Sequence, residues 1–279
     1  MTHDRQASAR RGNLVLGGTA ALGAVAGLLW LTRGAASAKG AITYPPVDTP
    51  KPFAADIWIV DSGPIRAMGM TLPIRMTVVR LTDGGLLLHS PTRYTPALGQ
   101  ALTALGPVRH LVAPTVAHWT FLKDWQQACP EATSWGVPAL RARAAVRKAG
   151  VRIDADLSDQ APEAWASDIA QGLVRGGGGF EEAWFHHRAS GTLILADLVE
   201  NLEPAKLTPM TAAAMRATLA TRATTGLHVR AALRIGGARV RAAVGTMIAT
   251  APERVIFAHG APFTRDGADR LRRAFAWLI

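Results

Sequence analysis

Three apolar runs in this chain each stop at a side chain that can bind a metal or move a proton. The run 108–113 leads through Pro114-Thr115-Val116-Ala117 to His118. The run 192–196 ends at Asp197, and the run 254–258 ends at His259-Gly260. Short apolar runs bounded by turn residues read as buried strands. In layered α/β folds, sites form outside the ends of such strands. The pattern therefore predicts two imidazoles and one carboxylate meeting at one rim.

The elements that must position them follow from the spacing. Strands are expected over 57–60, 74–80 and 86–89, with turns at Asp61-Ser62-Gly63-Pro64 and Asp83-Gly84-Gly85. Helices are expected over 95–105, 118–128 and 138–150, and a short strand over 135–137. The stretch 168–173 reads as short and irregular. A hairpin pairs 180–187 with 192–198 across Arg188-Ala189-Ser190-Gly191. Helical spacing recurs over 209–223 and 240–249, then a buried strand over 255–258 and a terminal helix over 266–278. In that last helix Asp266 and Asp269 come early and Arg270, Arg272 and Arg273 late, as the helix dipole favours. Hairpins in both halves, with helices between other strands, imply two packed sheets covered by helices.

Composition bounds the function. Of 279 residues, 49% are hydrophobic and 18% charged, enough apolar content for a sizeable core. A single cysteine, Cys129, excludes an intrachain disulfide and a cysteine-based zinc knuckle, and reads as packing beside Pro130 and Trp125. The net charge of +11 suits anionic lipid, nucleic acid or acidic metabolites. No recognition helix or aromatic-basic interleaving stands out, so solvated arginine faces are expected and nucleic acid is not. No G-x-S-x-G elbow is present, which disfavours a serine hydrolase of the α/β type. Gly176-Gly177-Gly178-Gly179 lacks the following Lys-Ser/Thr of a phosphate loop and reads as a flexible loop.

The front of the chain carries an address. The stretch 14–31 is apolar or small and uncharged, preceded by Arg10-Arg11 and followed by Ala36-Ser37-Ala38. Basic residues, an apolar stretch and a small-x-small site make an export signal, and the paired arginines suggest the twin-arginine route. The stretch is also long enough to span a bilayer with its positive flank inside. Residues 1–38 are thus expected to be a signal peptide or membrane anchor, as a hydrophobic helix, with the globular part outside the cytoplasmic membrane. Residues 39–52, with Pro45, Pro46, Pro50 and Pro52, are expected to be a Pro-rich extended linker to a domain at 53–279.

Four stretches of that domain resemble the metallo-β-lactamase superfamily. They are Gly85-Leu86-Leu87-Leu88-His89-Ser90-Pro91, the segment from His110 to His118, the segment from Phe185 to Leu198, and Ile256-Phe257-Ala258-His259-Gly260. The resemblance is to a ligand-poor branch known only as a domain of unknown function. It implies an αββα sandwich of two mixed sheets flanked by helices, with a site along one edge. The superfamily's main ligand loop reads Thr-His-x-His-x-Asp-His, and here Val112-Ala113-Pro114-Thr115-Val116-Ala117-His118 stands in its place. Only the last imidazole survives, which argues against a binuclear zinc hydrolase. The resemblance matches Asp197 to the bridging aspartate and His259 to the last histidine.

The remaining trio can act in three ways. As a facial triad with open positions it suits one zinc, iron or manganese ion. As a metal-free pair, His118 or His259 titrates near neutrality with Asp197 orienting it. As a scaffold, the three side chains stabilise loops on a catalytically inactive binding protein. His89, at a strand end, His187 with Arg188, and Trp119 beside His118 are further candidates for lining a small-molecule site. His186 and His187 point to opposite faces of a strand, so at most one can serve. The expected function is a divergent, hydrolase-like enzyme or a non-catalytic binding protein on this fold. Substrate and oligomeric state leave no trace in the sequence.

Overall fold

The computed structural model describes residues 42–67 and 69–279. The hydrophobic helix and export signal expected within 1–38 lie outside the described residues. Among the described residues, no helix is long and apolar enough to cross a membrane.

Two sheets form the centre. The first has seven strands in chain order: β1 (Lys51–Ala54), β2 (Ile57–Ala67), β3 (Met70–Arg80), β4 (Leu86–His89), β5 (Val108–Ala113), β6 (Thr133–Gly136) and β7 (Ala155–Asp156). The pairs from β1 to β4 are antiparallel, and those from β4 to β7 are parallel. The second sheet holds β8 (Ile169–Arg175), β9 (Glu181–His187), β10 (Thr192–Ile194) and β11 (Arg254–Ile256), in the order β11-β10-β9-β8. Helices α1 (Pro96–Thr103), α2 (Leu122–Ala128) and α3 (Ala144–Lys148) connect the strands of the first sheet. Helices α4 (Pro209–Ala217), α5 (Leu227–Ala249) and α6 (Gly267–Phe275) belong to the second half. Both sheets are mixed, as expected.

The pleat sorts side chains between the layers, because successive residues of a strand face opposite ways. On β10 and β11, Ile194 and Ile256 join the core shared with the first sheet, with Leu88, Val112 and Phe185. Leu193 and Val255 turn the other way, onto Val244 of α5 and Phe275 of α6. Each fully buried side chain of this size contributes about 1.5–3 kcal/mol. A third cluster joins Leu72 and Ile74 of β3 to Leu202, Leu207 and Met215.

Several expected boundaries move. The turn expected at 61–64 is strand: β2 runs on to Ala67, and Gly63-Pro64 are absorbed where its pairing with β3 shifts between Ser62 and Ile65. A proline is tolerated in a strand at such a bulge. The stretch expected to be irregular near 168–173 is β8, paired along its length with β9. The helix expected over 138–150 is a 3₁₀ turn at Pro138–Leu140 followed by α3. The helix expected from 118 begins at Leu122, leaving His118 and Trp119 in the preceding turn. The stretch expected to be a linker makes contacts with the domain. Lys51–Ala54 pairs with β2, Ile42 is buried, and the Tyr44 ring lies beneath the cations of Arg75 and Lys206. The glycines at 176–179 form the β8–β9 turn, where the Gly177 N–H donates to Ala232 of α5.

Candidate metal centre

Parallel pairing explains why Asp197 and His259 come together. β10 and β11 run side by side with Ile194 opposite Ile256. Asp197 and His259 each lie three residues past those partners, so they leave the sheet at the same rim. Their exits stay in step: the Leu195 N–H donates to Ile256 and the Ala258 N–H to Ala196. Gly260 must then pass against the neighbouring loop. Its φ is 92°, and a Cβ there would stand 2.1 Å from the Asn201 carbonyl oxygen. Only glycine fits such an approach.

His118 arrives from the other sheet. After β5 the Pro114 carbonyl accepts the Ala183 N–H, and Thr115 bridges to Glu182, tying this turn to the start of β9. The Thr115 hydroxyl accepts the Ala117 N–H and donates to Asp197 Oδ2 at 3.3 Å. Glu182, wholly buried, accepts the N–H groups of Ala196 at 2.7 Å and Asp197 at 2.8 Å. It thereby shapes the turn that presents Asp197. Burial and the charge of Asp197 push the Glu182 carboxyl well above the usual carboxylate range, against the pull of these N–H groups.

The three side chains meet on one carboxylate oxygen. His118 Nε2 lies 3.1 Å and His259 Nε2 3.5 Å from Asp197 Oδ1. One ligand atom from each residue falls within 4.8 Å of the others. Among the described residues this is the one group of three or more His, Cys, Asp or Glu side chains close enough to share an ion. The histidines are nearly enclosed, while the Asp197 side chain keeps 20% of its surface open. Burial by itself would raise Asp197, but the facing imidazoles of His118 and His259 hold it well below the usual carboxylate range. Burial lowers His259, with Asp197 offsetting only part of the effect.

The other nitrogen of each ring is hydrogen-bonded. His259 Nδ1 donates to the Pro73 carbonyl at 2.8 Å. A carbonyl only accepts, so a neutral His259 carries its proton on Nδ1 and turns the Nε2 lone pair toward Asp197. A lone pair facing an ionised carboxylate oxygen at 3.5 Å is repulsive until a proton or a metal cation lies between them. Metal-ligating histidines have this arrangement, with the second ring nitrogen bonded to a carbonyl, carboxylate or water. His118 Nδ1 meets the buried Ser90 hydroxyl at 2.5 Å. A hydroxyl donates or accepts, so it can hold His118 in either tautomer. Arg75 braces the loop from the first sheet: it pairs with buried Asp61 and donates to the Phe257 and Gly260 carbonyls on either side of His259. The donor set of two imidazoles and one carboxylate therefore fits one divalent ion.

Sequence comparison places the chain. A family described as a domain of unknown function, DUF4336, matches residues 55–240. The chain belongs to this family. His118 and Asp197 of this DUF4336 domain lie inside the matched region, and His259 lies beyond it. No curated protein matches the chain. Solved structures resemble it in fold. The FIM-1 metallo-β-lactamase of Pseudomonas aeruginosa, in its mono-zinc form, aligns with a TM-score of 0.54 at 14% identity, covering 82% of this chain and 93% of that one. A metallo-β-lactamase from Erythrobacter litoralis, with β-mercaptoethanol in its active site, gives 0.53 at 13% identity, covering 82% and 96%. The metal-soaked Flv1 flavodiiron core from Synechocystis sp. PCC6803 gives 0.55 at 11% identity, covering 82% of this chain and 60% of that chain. The DUF4336 domain thus has the metallo-β-lactamase-like fold.

The weaker sequence candidates divide. His89 ends β4, fully buried and edge-on to Phe185 at 5.3 Å. Burial and the neighbouring charge of His118 lower it to about 3, so it is a neutral part of the core near the site. Trp119 packs against the first core and gives its carbonyl to the Leu122 N–H. His187 and Arg188 are not at the site. They sit at the β9–β10 turn, the opposite end of β10 from Asp197, where His187 Nδ1 bonds Ser190 at 2.8 Å. The adjacency of two histidines and an arginine carried no information about which end of the strand they occupy. Sequence reasoning missed Ser90, Thr115 and Glu182, whose roles run through single hydrogen bonds across the sandwich. It also missed Glu200 and His228, both within the field of Asp197.

Proposed function

We propose that this domain holds one divalent metal at His118, Asp197 and His259 and works as a hydrolase-like enzyme on a small molecule. We further propose that residues 1–38 export it or tether it to the membrane, with the domain on the outer side. The observation that carries the metal reading is the His259 lone pair, fixed by the Pro73 carbonyl and aimed at the same Asp197 oxygen that His118 faces. A bound divalent ion supplies Lewis acidity toward a substrate oxygen and lowers the pKa of water. The chain's own part is to hold the ligands. His259 is locked by Pro73, His118 is oriented by Ser90, and Asp197 is steadied by Thr115 on Oδ2. Three protein ligands leave positions open for substrate, as a catalytic rather than a structural site requires. The fold neighbours named as metallo-β-lactamases support hydrolytic chemistry. Two nitrogens and one oxygen suit zinc, iron or manganese alike.

Elemental analysis of the purified full-length chain tests the reading. About one equivalent of metal is expected after zinc, iron or manganese supplementation, and His118→Ala, Asp197→Ala and His259→Ala each lose it. A metal-free protein from all three preparations returns the domain to the binding or scaffold reading. Fractionation tests the address: a cytoplasmic, fully soluble pool with its N-terminus intact contradicts export.

A further inference from the structure

Glu200 stands three residues beyond Asp197, and its carboxyl takes no evident part in holding the fold. Its backbone is pinned on both sides, since the Glu200 and Thr224 N–H groups exchange bonds with each other's carbonyls. Its carboxyl is different. The residue is 7% exposed, and Oε2 is buried without a hydrogen-bond partner. No cation lies within ion-pair reach of it among the described residues. The nearby Arg230 is directed elsewhere, to the Thr225 carbonyl and the Thr224 hydroxyl. Leaving such an acceptor unpaired costs about 1–3 kcal/mol, so its retention calls for a use.

Oε2 lies 2.6 Å from where a Gly226 Cβ would stand, and His228 Nδ1 lies 3.2 Å from the same point. Glycine at 226 thus makes room for a carboxyl and an imidazole to approach each other at the start of α5. Thr225, the residue before Gly226, is fully buried and its hydroxyl is also without a partner. The charged or titratable groups facing Glu200 are Asp197, whose charge reaches both Glu200 and His228, and His228 itself.

We propose that Glu200 is a second acidic group of this centre, which gives up its proton to balance a divalent cation held by His118, Asp197 and His259. The inference rests on the metal reading above. The step is a simple ionisation: the O–H bond of the carboxylic acid breaks, the electron pair stays on oxygen, and the proton passes to buffer. Geometry provides the uncompensated carboxyl. Burial, with Asp197 adding to it, raises Glu200 to about 8, so without a cation it is mostly neutral at pH 7. A nearby divalent charge reverses that preference.

Zn²⁺ titration of the full-length chain, by calorimetry in buffers of different ionisation enthalpy, counts the protons released. Wild type is expected to release about 0.9 more protons per zinc at pH 7 than Glu200→Gln, the neutral fraction for a group near 8. Below pH 8, log affinity should climb with pH more steeply in wild type, by about one. Glu200→Asp keeps the carboxyl and should keep the extra proton. In wild type, one infrared carbonyl band of a protonated acid should vanish as Zn²⁺ is added, and Glu200→Gln, in which Glu182 is the remaining raised acid, should lack that band. Equal proton release and equal pH slopes in wild type and Glu200→Gln, with zinc bound by both, overturn the role of Glu200 alone. Wild type that binds no zinc overturns the metal reading and this inference with it.

Discussion

Ser90 offers the sharpest test of how the centre is held. Its hydroxyl touches His118 Nδ1, and its backbone φ is 56°, a left-handed conformation that costs a non-glycine residue about 1–2 kcal/mol. Ser90→Ala removes the hydroxyl and keeps the strain. His118, nearly enclosed, loses its partner at Nδ1, so the metal-free protein should lose about 1–3 kcal/mol. For a domain of this size that is a melting shift of roughly 2–10 °C. Removing a hydrogen bond behind a ligating histidine lowers metal affinity about 10–100-fold. Ser90→Gly removes the same oxygen but relieves the strained φ. Its melting temperature should recover most of the alanine variant's loss, while its zinc affinity stays as low. Competition against a chromophoric chelator measures the affinity, and thermal melts in chelator measure the stability. The reasoning fails if zinc affinity is unchanged in both variants, or if it recovers with stability in the glycine variant.

Other consequences follow from the same geometry. Glu200 is raised in the folded state, so the folded protein binds more protons than the unfolded one between about 4.5 and 8, and metal-free stability should fall as pH rises through that window. Chemical denaturation at several pH values should show this slope flattened in Glu200→Gln. Asp197 is depressed, so its contribution is present above its unfolded value near 4 and is lost as pH falls below it. Asp197→Asn should therefore be less stable than wild type near neutrality and lose less stability on acidification, the two converging at low pH in chemical denaturation. Gly260→Ala should cost at least about 3 kcal/mol, from its positive φ and the contact with the Asn201 carbonyl, and soluble yield and melting temperature report it. His187→Gln and Arg188→Ala should leave zinc affinity within about twofold of wild type, because they sit at the far end of β10.

How much of this was legible depended on whether the signal was local. The runs ending at His118, Asp197 and His259 could be read because buried strands announce themselves by composition and sites gather at their ends. β8 could not. Gly172 interrupts its apolar pattern, and the reason lies on the neighbouring strand, where a Cβ at 172 would stand 2.6 Å from the Trp184 indole. The first half of α5 was hidden by Gly236-Gly237, where φ at Gly237 is 58° and breaks the helical period. Only its second half, from Val240, reads as helix. Glu182 and Glu200 look like ordinary surface acids in sequence. Glu182 is buried where the β5 turn meets β9 and Glu200 against the start of α5, which no neighbour in the chain records. His187 and Arg188 erred in the opposite sense: chemistry-rich neighbours in the chain stand at the wrong end of the sheet.

The origin of the ligands in two separate layers sets the order in which the centre is assembled. β11 slots beside β10 only after some 60 intervening residues have been made, and His259 follows it. A chain emerging from the ribosome can therefore build its first sheet, with His118 in place, long before the third ligand exists. Closing so distant a contact is slow on topological grounds. On the proposed metal reading, ion capture is a late step, open only to chains in which β11 has docked beside β10.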